Sequence, residues 1–162
     1  TVIAILGILT TLTIPNVRAW KTGYQLRAAT MQLHQLLQHA RLYAVKQHSK
    51  VIVNFDPDND RQLEGDYIAF VDNGLDAQTF WTREPDEQLL HQGRLKSNVR
   101  FLKVAFAGGV PRLRFNPLGL PNGFGGHIYL TSGPHLFRGI HVNINGRARM
   151  VKSQTGKPGS WD

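Results

Sequence analysis

The sequence predicts an α+β protein: a long N-terminal helix, half membrane-anchoring and half amphipathic, packed on an antiparallel β-sheet head. Three observations predict it. The chain opens on an uncharged apolar run, TVIAILGILTTLTIP, with no charge before Arg18. A helical stripe of apolar residues follows. The remainder consists of short β-prone runs divided by turn residues.

The opening run carries Val2, Ile3, Ile5, Leu6, Ile8, Leu9, Leu12 and Ile14 and closes at Pro15. A helix apolar all round needs lipid or protein about it. Thr1 to Ile14 is shorter than the roughly 20 residues that cross hydrocarbon, so a longer segment is expected to precede Thr1. A secretory signal core should end in a small-residue cleavage site, where TLTIPN stands instead. A buried core helix is the other reading. Against it stands Gly7, because glycine costs about 1 kcal/mol in a water-exposed helix yet is common in membrane helices. Residues 1–20 are therefore expected to form part of a transmembrane or filament-core helix. Arg18, Lys21 and Arg27 just beyond it would by themselves hold the next domain on the cytoplasmic side, unless a more basic leader outweighs them.

Residues 21–48 are expected to form an amphipathic spine. Leu26, Ala29, Leu33, Leu36, Leu37, Ala40, Tyr43 and Ala44 recur at three- and four-residue spacing, with Gln25, Arg27, Gln32, Gln35, Gln38 and Arg41 opposite. Residues 49–162 form the head. Strands are expected over Val51–Phe55, Tyr67–Asp72, Val99–Phe106, Arg112–Phe115, His127–Thr131, Gly139–Ile144 and Arg147–Val151. Asp76–Gln92 reads as a loop or an edge excursion, and Ser153–Asp162 as a loose tail. Asn145-Gly146 predicts a two-residue type I′ hairpin joining HVNI to RARMV.

The charge is lopsided. The chain carries 19 basic and 11 acidic residues, net +8. From Gly93 onward the only acid is Asp162, which favours polyanionic partners such as DNA or acidic lipid. With no cysteine there is no disulfide, thiolate nucleophile or thiolate metal site. Asp56, Asp58 and Asp60 have calcium-loop spacing, but Arg61 stands where that loop needs glycine and Tyr67 where it needs glutamate. No catalytic constellation, metal site or cofactor site is found.

The sharpest functional feature is GRAR, Gly146 to Arg149. On a strand, Arg147 and Arg149 would share one face about 7 Å apart, near the phosphate spacing of a nucleic-acid strand. Each guanidinium can fork two donors onto a phosphate. Lys152 follows on a tail that could fold over a ligand, and Arg112, Arg114 and Arg138 would widen the basic surface if their strands were neighbours.

Three segments carry a family resemblance. AILGILTTLTIPN resembles the second half of the N-terminal helix of type IV pilins and pseudopilins. ARLYAVKQHSKVIVNF is similar to the A-R-x-x-A motif leading into the first strand of GspH/FimT-type minor pilins and pseudopilins, with Arg41 and Ala44 at the family's positions. FNPLGLPNG resembles a segment in the middle of those heads, with Leu118 where the family often has a basic residue. The resemblance implies a filament subunit. Its N-terminal helix would sit in the bacterial inner membrane with the head in the periplasm, then bundle with other pilins or pseudopilins. The methylated N-terminal residue and processing site would lie ahead of Thr1. In FimT-like minor pilins a C-terminal G-R-x-R is associated with DNA binding in natural transformation, a role the resemblance carries to Gly146, Arg147 and Arg149. Two functions remain open: a DNA-binding module on a type IV pilus, and a structural minor pseudopilin of the type II secretion system.

Overall fold

The computed structural model describes residues 2–60, 62–74, 81–157 and 159–161, and of residues 2–19 the backbone alone. One helix, α1 (Val2–Lys46), runs through both predicted halves. The backbone of Val2–Pro15 belongs to it. The side chains of Val2, Ile3, Ile5, Leu6, Ile8, Leu9, Leu12, Ile14 and Pro15 lie outside the described residues. Among the described residues no helix is long and apolar enough to cross a membrane.

From Leu26 the apolar stripe is sealed: Leu26, Leu33, Leu37, Ala40 and Ala44 are at most 1% exposed. Each such leucine contributes about 1.5–3 kcal/mol through area removed from water. Thr30 is buried in the same stripe, and its hydroxyl donates to the Leu26 carbonyl at 2.8 Å, so burial leaves no unpaired polar atom there. The helix stops where His48 adopts the left-handed region (φ 50°) and Ser49 N–H donates to the Ala44 carbonyl, the usual way of satisfying final-turn carbonyls.

Eight strands follow: β1 (Lys50–Asn54), β2 (Asp66–Asp72), β3 (Leu89–Arg94), β4 (Arg100–Ala105), β5 (Arg112–Phe115), β6 (Gly126–Thr131), β7 (Phe137–Val142) and β8 (Ala148–Ser153). They form two antiparallel sheets of order β3-β2-β1-β5 and β4-β6-β7-β8. Helix α1 contacts both sheets, and one core joins its stripe to Val53 and Leu113 of the first and Ile128 and Ile140 of the second. Phe55 bridges the sheets, edge-on to Phe101 at 5.7 Å and stacked with Phe106 at 6.0 Å. On the outer face of β1, Asn54 Nδ2 donates to the Trp81 carbonyl, and this central strand is buried on both faces.

One open reading is settled and two expectations change. The ambiguous stretch ends in an edge strand: β3 pairs with β2 from Asp66↔Arg94 to Phe70↔Leu89. The final hairpin does not turn in two residues. Val142 pairs with Ala148, and residues 143–147 form a five-residue loop. The Asn143 side chain decides this, because its Oδ1 accepts from the N–H groups of Asn145 and Arg147 and so competes with a tight Asn-Gly turn. The tail is tied down: Ser153 and Ser160 hydroxyls lie 2.6 Å apart, Gly156 N–H donates to Ser153 Oγ, and Trp161 stacks on Tyr129.

Candidate nucleic-acid interface

The segments ARLYAVKQHSKVIVNF and FNPLGLPNG meet GRAR at one point of the head. Arg41, expected on the solvated side of the spine, donates from Nε to the Gly119 carbonyl at 3.0 Å. Gly146 packs against this clamp in the left-handed region (φ 74°), and a Cβ there would fall 2.3 Å from Gly119 O and 3.0 Å from Arg41 Nε. Glycine is therefore needed twice, for its dihedral and for its missing side chain. Gly146 is buried, so its part in the site is to set the hairpin against the spine.

That anchorage fixes the two arginines. Arg147 N–H donates to Asn143 Oδ1 at 2.9 Å, and its carbonyl accepts from Asn143 N–H at 3.1 Å, while the side chain is exposed. Arg147 thus stands in the loop rather than on β8. Arg149 is on β8, exposed, and level with His141 on β7 and His127 on β6. Both arginines line one groove of about 710 Å³, together with Phe124, His127, Tyr129 and His141, and no carboxylate among the described residues lines it.

A stacked row on the outer face of the second sheet enters the groove's floor through His127 and Tyr129. The Tyr129 ring lies 4.4 Å from His127 on one side and 3.9 Å from Trp161 on the other, the latter only 3° from parallel. The Tyr129 hydroxyl and His141 Nε2 are 2.8 Å apart. Phe124 stands at the rim, 90% exposed. Burial lowers the pKa of His127, helped by Lys103 and His141; burial and then Arg149 lower that of His141. Both shifts favour the neutral imidazole.

The other basic residues stand apart. Arg112 and Arg114, on β5 in the first sheet, lie 6.0 and 5.7 Å from the Trp81 ring, and Arg112 also bonds Asn59. Their strand neighbours β1, not β8, so the condition for widening the GRAR surface is unmet. Arg138 and Lys152 pair across β7 and β8 at the other end of the hairpin, facing a different cavity. The aromatic floor was not singled out in the sequence. Its one signal there is the alternation His127-x-Tyr129-x-Thr131, which marks a polar outer face without revealing stacking.

The family model described as type II transport protein GspH matches residues 29–152. The chain belongs to the GspH family. This GspH-family protein has the fold of two solved minor subunits. One is the type IV minor pilin FimU of Pseudomonas aeruginosa, 18% identical, covering 78% of this chain and 88% of FimU, with a TM-score of 0.57. The other is the minor pseudopilin EpsH of the Vibrio cholerae type 2 secretion system, 14% identical, covering 79% of this chain and 97% of EpsH, with a TM-score of 0.58. No curated protein sequence matches it at a significant level. The GspH-family protein is thus a minor pilin or pseudopilin of a type IV pilus or type II secretion system. Membership implies assembly with other pilins and fits a periplasmic filament; the family is structural, not enzymatic.

Proposed function

We propose that this protein is a minor filament subunit whose head binds DNA along the phosphate backbone through Arg147 and Arg149, in the service of DNA uptake. The observation that carries the reading is the shared groove, where two exposed guanidiniums face no carboxylate among the described residues and are held on a hairpin braced by Gly146 against Arg41 and Gly119. Guanidiniums so placed recognise phosphate in any sequence. Before assembly the apolar front of α1 is inserted in the inner membrane as part of a single span, with the head in the periplasm, and in the filament it packs against the same helix of other subunits. Trp20 and Tyr24, both exposed, mark the level where aromatic side chains settle between lipid and water.

A gel shift of the head, from Gly23 onward, against random-sequence duplex tests this. Binding at low salt that disappears in Arg147→Ala/Arg149→Ala supports it; equal binding by the variant removes the site. The structural likeness to EpsH favours a second reading, a structural pseudopilin of type II secretion. Co-purification with other minor pseudopilins, with no DNA shift at low salt, would establish that one instead.

A further inference from the structure

At the foot of the head, where α1 emerges, lies a second cavity of about 760 Å³. Gly23 and Leu26 of the helix form one wall, Arg138 and Lys152 another, and residues 153–155, 159 and 160 of the tied-down tail a third. Its charges are arranged at a cost. Arg138 and Lys152 are direct cross-strand partners, and like charges placed so destabilise a sheet. Arg27 on the helix adds a third cation, close enough that it, after burial, lowers the Arg138 pKa. Among the described residues, ion pairs join Arg94 to Glu64 and Asp66, and no described carboxylate pairs with these three cations. A bound anion would.

The position says which anion. Arg18 is the first charge after the apolar run, and Gly23 lies five residues beyond it. At 1.5 Å per residue that is about 7 Å, the depth of one headgroup layer. Trp20, inside that interval, stacks at 6.1 Å on Tyr24 just past it, both exposed as interfacial aromatics are. Gly146, by contrast, meets the helix at Arg41, roughly 27 Å further along it. In the anchored stage proposed above, DNA in the Arg147–Arg149 groove would therefore lie well clear of the bilayer, whereas the foot cavity would open onto it.

We infer that the cavity bounded by Arg138, Lys152 and Gly23, with Arg27 beside it, binds the phosphate of an anionic phospholipid headgroup while the subunit waits in the membrane. This rests on the membrane-anchored stage proposed above, but not on DNA binding. Lipid occupancy would offset one of the three positive charges and fix the head on the bilayer; transfer into a filament would release it.

The test uses the full chain in neutral-detergent micelles doped with phosphatidylglycerol or phosphatidylcholine, with retained lipid counted by native mass spectrometry. One phosphatidylglycerol should be retained at least tenfold better than phosphatidylcholine. Retention should fall about tenfold in Arg138→Gln/Lys152→Gln and severalfold in Lys152→Gln alone, an exposed position whose change spares the fold. Arg147→Ala/Arg149→Ala should retain the lipid normally. Equal retention of the two lipids, or undiminished phosphatidylglycerol in the Arg138→Gln/Lys152→Gln variant, overturns the inference. Displacement by millimolar inorganic phosphate would reassign the cavity to a free ion and also overturn it. Failure of the Arg147/Arg149 variant to lose DNA would strike the proposed function and leave this result standing.

Discussion

Replacing Gly146 by alanine should cost far more than a surface glycine usually does. Gly146 has φ 74°, and left-handed backbone costs a residue with a Cβ about 1–2 kcal/mol. The added methyl would also stand 2.3 Å from the Gly119 carbonyl oxygen, a backbone atom, and 3.0 and 3.3 Å from Arg41 Nε and Cδ. Relief of that contact must part the hairpin from the FNPLGLPNG loop or break the Arg41–Gly119 bond, and a bond to a charged donor is worth about 1.5–3 kcal/mol. Allowing for partial relaxation, Gly146→Ala should destabilise the head by about 2–4 kcal/mol. Urea unfolding of the head, followed by circular dichroism, reads this directly. Arg41→Ala alone should cost about 1–3 kcal/mol, and the double variant less than the sum, since the two residues share a contact. A Gly146→Ala head within about 0.5 kcal/mol of the parent, or strict additivity with Arg41→Ala, would refute the packing argument.

The remaining predictions are shorter. Leu33 is 0% exposed at the helix–sheet seam, so Leu33→Ala should lose about 2–5 kcal/mol in the same urea assay. His127 and His141 have folded pKa values below 6.5, so the unfolded chain takes up their protons first as pH falls. Their contribution, present above about pH 6.5, should be lost on descending through the folded values; the urea midpoint should drop between pH 7.5 and 5, and less so in His127→Gln/His141→Gln. Arg112→Ala/Arg114→Ala, on the other sheet, should leave the midpoint of a DNA gel shift within about twofold.

Much of this was legible in the sequence because two periodicities are strong. Seven of the eight residues of the helical stripe are buried and Tyr43 is half-buried, because the stripe is the helix's main apolar face against the sheets. The strands with apolar alternation, β1, β2, β4, β5 and β6, lie within a residue or two of expectation. Where local side-chain bonds compete with a pattern, reading failed: Asn143 overrode the Asn-Gly turn. Edge strand β3, LLHQGR, alternates only weakly because neither face is sealed. The tail looked loose because its ties, Ser153–Ser160 and Trp161–Tyr129, are contacts between side chains that carry no period. The candidate site was half legible. GRAR stood out by composition, but a +8 chain scatters arginines widely, and only the register showed that Arg138 and Lys152 belong to the foot of the head.

The most direct measurement is the salt dependence of duplex DNA binding by the head and its Arg147→Ala/Arg149→Ala variant. Each phosphate contact contributes a slope of about 0.9 to log K against log salt concentration, so two contacts predict a slope shallower by about 1.8 in the variant, with no preference for DNA sequence. Slopes that agree within about 0.3, or binding by the parent that ignores salt, would contradict the assignment of this groove to DNA.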